Sequence, residues 1–204
     1  MKKVLFSILI MVISVLVSSC LGIPKLGGME MVYENDTQLM YRMGETIIKF
    51  INSNNTDGLL NMFSQEAKSQ ASLLEEQIQQ MFNYIDGEIA LEDKGAGAIS
   101  GEYGTGDETI DVRYRGVCRS STGRLYDIGV VQYRKSENKS KNGVFCITVV
   151  ETKYRTALNI GPYNDVPPGI YFPSEEDVLH AESVMSEKEN QDWVDLLESK
   201  YGPH

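Results

Sequence analysis

Histidine occurs only twice in the 204 residues and cysteine three times. So few imidazoles and thiols leave little material for a histidine-rich metal site or a disulfide scaffold. Basic residues are also short. Against 29 Asp and Glu stand 19 Lys and Arg, a formal net charge of −10. Nucleic-acid binding depends on cationic neutralisation of phosphates, so no nucleic-acid partner is expected. The apolar N-terminal stretch, Val4 to Val17, is broken by Ser7 and Ser14 and falls short of the ~20 residues that a bilayer-spanning helix takes. Hydrophobic residues still make up 42% and charged residues 24%, the mixture of a folded globular body, which excludes global disorder and a multi-span membrane protein. The length suits one domain of ordinary size with extensions.

The first 19 residues read as an address. Lys2 and Lys3 form a positive head, the apolar stretch follows, and Val17-Ser18-Ser19-Cys20 closes it. These are the charged, apolar and small-residue regions of a secretory signal peptide. A Cys directly after two small residues resembles the lipobox of bacterial lipoproteins. That resemblance implies cleavage before Cys20 and a diacylglyceryl group on its thiol. Two acyl chains, at about 0.8 kcal/mol per buried methylene, hold a protein stably on a membrane where one holds it only reversibly. Loss of residues 1–19 removes two lysines and no acid, so the mature charge becomes −12. Anionic headgroups repel such a body. Residues 20–34 then serve as the lipidated tether, with Gly22, Pro24, Gly27 and Gly28 as breakers. Its last fourteen residues reach at most ~50 Å.

Residues 35–172 read as the folded domain. Asp36 or Thr37 can cap a first helix whose apolar stripe is Leu39, Met40, Met43, Ile47, Phe50 and Ile51. A short helix over Asp57 to Phe63 follows. Ser72 and Glu75 have capping-box spacing before a third helix with Leu74, Ile78, Met81, Phe82 and Ile85 inward, closed by Gly87. The period then changes to two. Strands are expected over 88–93, 98–103, 108–119, 124–135 and 143–152. Strands clustered after helices predict an α+β fold, with N-terminal helices packed on a curved antiparallel sheet. Pairing Arg119 with Arg124 across a four-residue loop sets Ile110, Val112, Tyr114 and Cys118 beside Leu125, Gly129, Val131 and Tyr133 on the drier face. That register also puts Asp127 on the dry side, where a carboxylate needs a partner or water. Cys118 and Cys146 fall on strands separated by a third, about 9–10 Å apart. That distance exceeds disulfide reach, so free buried thiols are expected, although an extracytoplasmic site permits a bond.

The stretch Leu74 to Gly87, ending Phe82-Asn83-Tyr84-Ile85-Asp86-Gly87, runs into curled strands, and Pro168-Gly169-Ile170-Tyr171-Phe172 comes later. Over roughly Asp36 to Phe172 the chain resembles an uncharacterised family of bacterial surface lipoproteins. That family is similar to the nuclear-transport-factor-2-like, or cystatin-like, cone superfamily. The resemblance implies a helix in the concave face of a curved sheet, often with a pocket between them. It implies no catalytic residue.

Residues 173–204 read as an acidic helical tail. Ser174 with Asp177 and Ser186 with Glu189 start two short helices, and Trp193, Val194 and Leu197 dock the second on the body. His180 is read as a surface residue. Gly101 to Gly106 lacks the Lys-Ser/Thr ending of a phosphate loop and is read as a turn. Arg113 and Arg115 are expected to pair with acids such as Asp111 or Glu151 on the wetter sheet face. Tyr114, Asp127 and Tyr133 line the candidate pocket. A carboxyl in a dry pocket has a raised pKa and can act as a base. No specific catalytic constellation, metal site or cofactor is implied. The expectation is a lipid-anchored extracytoplasmic binding or interaction protein, reaching the membrane through Cys20 and gripping a small apolar ligand or a protein partner. The alternatives are a cone-pocket enzyme using Asp127 and Tyr114 in isomerase- or dehydratase-like chemistry, and an immunity-type adaptor that blocks a surface partner.

Overall fold

The computed structural model describes residues 34–102, 109–159, 167–185, 192, 195–196 and 199–202. Cys20, Trp193, Val194 and Leu197 lie outside the described residues.

Helices come first. Met40, Met43, Ile47 and Ile51 recur at helical spacing and form the buried stripe of α1 (Glu34–Asn52). Leu39, expected in that stripe, is 41% exposed, because one residue turns the side chain 100° round the helix. The Asn55 side chain caps α2 (Thr56–Met62) by accepting from the Gly58 amide at 2.8 Å. A further helix, α3 (Gln65–Gln70), was not legible as a separate element; Ser64 caps it by accepting from the Ala67 amide at 3.0 Å. The expected capping box before α4 (Leu74–Tyr84) does not form. Leu73 occupies the N-cap in the left-handed region, at φ 64°, with no side-chain cap bond. That turn lets Ala71 and Leu74 both enter the core while Leu73 stands out.

Five strands form a curved, open sheet in the order β1 (Ile89–Glu102), β2 (Thr109–Ser120), β3 (Leu125–Lys135), β4 (Gly143–Glu151), β5 (Gly169–Tyr171). The α+β class stands, but the sheet is mixed rather than antiparallel. After α5 (Arg155–Leu158), β5 returns to pair parallel with β4. The Ile170 amide donates to Gln77 Oε1 at 3.0 Å, which ties this short strand to α4. The two strands expected over 88–93 and 98–103 are one. Its register shifts between Leu91 and Ala96, and Gly95 at φ 67° brings its backbone so close that an added Cβ would lie 1.8 Å from the Arg115 carbonyl oxygen.

The β2–β3 register differs by one residue from the expected one. Arg119 pairs with Leu125, Cys118 with Tyr126 and Tyr114 with Val130. The cause is local. The Ser120 amide donates to the Arg124 carbonyl at 2.8 Å, and Gly123 takes φ 96°. Ser121 to Gly123 is therefore a three-residue hairpin loop with glycine in its left-handed position, not a four-residue loop. A one-residue slip exchanges faces, so Tyr126, Ile128 and Val130 enter the helix-covered core while Asp127 leaves it. Cys118 lies in that core, whereas Cys146 pairs with Val131 on the other face. Both thiols are free, and burial pushes each up to about 12. Their opposite facing adds a second bar to a disulfide, beyond the intervening strand.

The tail begins as expected. Ser174 and Asp177 form a reciprocal capping box at the start of α6 (Glu175–Val184). Ala181 of this helix packs on Val150 and Tyr154, covering part of the sheet face opposite the helices. No helix among the described residues is long and apolar enough to cross a membrane.

Tyr114 is the central close contact of the core. A Cβ on Gly44 of α1 would lie 2.5 Å from its ring, and one on Gly116 would lie 2.3 Å from its hydroxyl. In an exposed helix Gly→Ala gains about 1 kcal/mol. Here overpacking, at about 1–3 kcal/mol, opposes that gain. Gly44→Ala should therefore lower stability in urea unfolding, by up to about 2 kcal/mol net. A stabilised variant would contradict the packing described.

Candidate functional site

The three residues expected to line one pocket are not brought together. Tyr114 faces the helices and is 1% exposed. Val117, not Tyr114, lies opposite Asp127. That is three strand positions away, and an odd offset places the two side chains on opposite faces. Tyr133 shares β3 with Asp127, six residues further on, or about 20 Å. It packs edge-on against Phe145 at 5.3 Å between centroids. The Tyr114 hydroxyl has no hydrogen-bond partner among the described residues, and burial raises its pKa well above the ordinary phenol value. A phenol so held stays neutral and is a poor proton donor near neutral pH.

Asp127 instead belongs to an ionic layer on the other face of the sheet. It is buried, and both carboxylate oxygens accept from Arg115 in a two-pronged pair. Arg115 lies opposite Gly129, which has no side chain to obstruct the guanidinium. Arg155, at the start of α5, brings its Nε to 3.8 Å from the same carboxylate. Along β2 the basic residues alternate on this face. Arg113 meets Asp111 at 2.8 Å and Arg119 meets Glu92 at 3.2 Å. Asp111 is thus a partner of Arg113 as expected. Glu151 pairs instead with Arg124 at 3.4 Å and Lys153 at 3.2 Å. A carboxylate gripped on both oxygens by a guanidinium is committed to an ion pair and is poorly placed to serve as a free base.

Lys200 and Tyr201 lie against this layer. Tyr201 packs on Val117 and Leu125, and its carbonyl accepts from the Arg119 guanidinium at 2.6 Å. Lys200 donates to Asp93 at 2.8 Å, and the Tyr201 hydroxyl donates to the same carboxylate at 3.3 Å. The bulge in β1 orients Asp93, whose other oxygen accepts from the Gly95 amide at 2.8 Å. Lys200 first, and the Gly95 amide second, hold the Asp93 carboxyl below the usual carboxylate range. His180 is exposed on α6, as expected.

On the helical side two clefts open. One of about 440 Å³ lies between α1 and β1, lined by Glu45, Ile48, Asn52 and Leu91. The other, of about 840 Å³, runs between α2, α3 and α4 past Leu60, Ala71, Leu74 and the 65%-exposed Leu73. Among the described residues no three His, Cys, Asp or Glu side chains gather as a metal ion would require. Thr152, Arg155 and Lys200 were not singled out from the sequence. The acids that Arg155 and Lys200 approach, Asp127 and Asp93, lie on other strands, so no local spacing marks them. The one available signal is that Thr152 and Arg155 stand three residues apart just beyond a strand.

Two outcomes test this layer. Asp127→Asn should destabilise the fold by about 2–3 kcal/mol in chemical unfolding, because it strands a half-buried guanidinium; full burial would raise the loss to about 3–5. An unchanged unfolding curve would restore Asp127 as a free carboxylate. The Asp93 contact carries a pH dependence. Its folded-state pKa is the lower one, so its contribution is complete above the ordinary value of about 4. It is lost as pH falls through the folded value. Amide protection at Lys200 and Tyr201 should fall between pH 6 and pH 3, and Asp93→Asn should lower it already at pH 6. Equal protection in both proteins would separate Asp93 from the tail.

A family model described as a domain of unknown function, DUF5104, matches residues 46–152, from within α1 to just past β4. No curated protein matches the chain. The match spans Tyr114, Arg115, Asp127 and Thr152, stops short of Arg155 and the tail, and covers just over half of the sequence. The chain therefore belongs to the DUF5104 family.

Proposed function

We propose that this protein is a lipid-anchored, extracytoplasmic binding or interaction protein. The observation that carries the anchor is the order Lys2-Lys3, a broken apolar stretch, and Val17-Ser18-Ser19-Cys20. The chemistry of a diacylglyceryl thioether at Cys20 suits a body of charge −12, which has no electrostatic attraction of its own to anionic lipid. The likeness to the nuclear-transport-factor-2-like superfamily belongs to the same reading, resting on the Phe82 to Gly87 helix end followed by curled strands. Binding is preferred to catalysis because the best acid-base candidates are occupied. Asp127 is held by Arg115, and the Tyr114 ring fills the notch between Gly44 and Gly116. The bound species is a small apolar molecule or a protein, gripped by the folded body at the end of its tether.

Cys20→Ala tests the anchor. The native protein should sediment with membranes and show the mass of a diacylglyceryl group on an N-terminal Cys20. The variant should move to the soluble fraction. Unchanged fractionation, or a mature N-terminus other than Cys20, would defeat the proposal.

A further inference from the structure

Arg155 and Thr152 carry polar capacity that the fold does not use. Arg155 Nε is buried and has no hydrogen-bond partner among the described residues. Its nearest anionic neighbour among the described residues, Asp127, is 3.8 Å away, beyond hydrogen-bonding range, and Arg115 already occupies both oxygens of that carboxylate. The Arg155 side chain is 28% exposed overall, while its Nε is buried. Thr152 is 5% exposed, and its hydroxyl likewise lacks a partner. The two residues bracket a 3-10 turn, Thr152–Tyr154, and the Arg155 amide donates to the Thr152 carbonyl. Side chains three apart in such a turn eclipse one another. Thr152 and Arg155 thus stand on one side of the turn, next to the ionic layer. Leaving buried polar atoms unpaired costs about 1–3 kcal/mol each. An acceptor that satisfies both recovers that cost.

We propose that Arg155 and Thr152 form a binding site for a carboxylate group on the face of the sheet opposite the helices. The planar guanidinium fork matches the two oxygens of a carboxylate, and the Thr152 hydroxyl supplies a third donor. Asp127 sets the charge of the ligand. Its negative charge beside the fork tolerates a monoanion better than a phosphate dianion, since like charge at short range is costly in a partly buried site. The site does not depend on the lipid anchor. It offers the folded body a way to hold an acidic small molecule or an acidic side chain of a partner despite its overall negative charge.

The test is a titration of the folded protein with sodium acetate at constant ionic strength, with sodium chloride as the control. The reporter is the Nε–H resonance of Arg155 in a nitrogen-correlated spectrum. Acetate should move it along a saturable curve, and chloride should not. Inorganic phosphate at pH 8 should bind at least threefold more weakly than acetate. Arg155→Gln should abolish saturable binding, read at the Thr152 amide. Arg155→Lys, which keeps the charge and loses the fork, should weaken it at least fivefold, and Thr152→Val about threefold. A linear response equal to that of chloride would overturn the proposal. So would binding retained in a folded Arg155→Gln protein, or phosphate binding as tight as acetate. Should Arg155→Gln fail to fold, the native titration together with Arg155→Lys and Thr152→Val decides the matter.

Discussion

The left-handed conformation of Gly123 is the constraint on which the rest of the body depends. It shortens the β2–β3 loop to three residues and so sets the parity of both strands. Parity in a sheet is all or nothing, because the side-chain period is two. With this parity Val112, Tyr114, Cys118, Tyr126, Ile128 and Val130 line one face, and Arg113, Arg115, Asp127 and Val131 line the other. The other parity would bury Asp127 beneath α1 and α4 and leave Tyr126 and Ile128 outside. The hairpin loop thus separates an apolar layer from an ionic one.

Each layer is then closed by a different part of the chain. The helices close the apolar side, and their polar edges finish the sheet. Asn52 exchanges two hydrogen bonds with the backbone of Ile89, at 2.8 and 2.9 Å, at the start of β1. The hydroxyl oxygens of Tyr84 and Tyr126 accept from the amides of Glu151 and Asp86 at 3.1 and 3.0 Å. Tyr84 is further fixed by an edge contact with Tyr126 and a tilted one with Phe172. Burial dominates the rise in its pKa, so the phenol remains neutral and keeps its place in this network. The ionic side is closed by α6 and by Lys200 and Tyr201, which make polar contacts at the margins and small apolar contacts between them. Ion pairs at an exposed margin are individually weak, on the order of 0–1 kcal/mol. The closure on that side is accordingly the softer of the two.

This division bears on function. The enzymatic alternative required Asp127 and Tyr114 to face one cavity. Here the carboxylate belongs to the ionic layer and the phenol to the apolar one, with the sheet between them. The ionic layer is where the proposed carboxylate site lies. It contains half-buried guanidinium groups in a chain that is acidic overall, and among the described residues the buried Nε of Arg155 has no hydrogen-bond partner.

The α+β class, the inward stripes of α1 and α4, the capping box of α6 and the burial of Cys118 and Cys146 follow from periodicity and composition. Those are local properties, and each residue carries its own share of the signal. The proposed export signal and the proposed lipidation of Cys20 rest on the linear sequence alone. The hairpin parity, the parallel β5, the bulge at Gly95 and the pairing of Asp127 with Arg115 were decided only in the tertiary structure. All four depend on which distant backbone lies alongside. One glycine conformation or one three-residue strand, too short to leave a periodic trace, changes that answer without altering any local pattern.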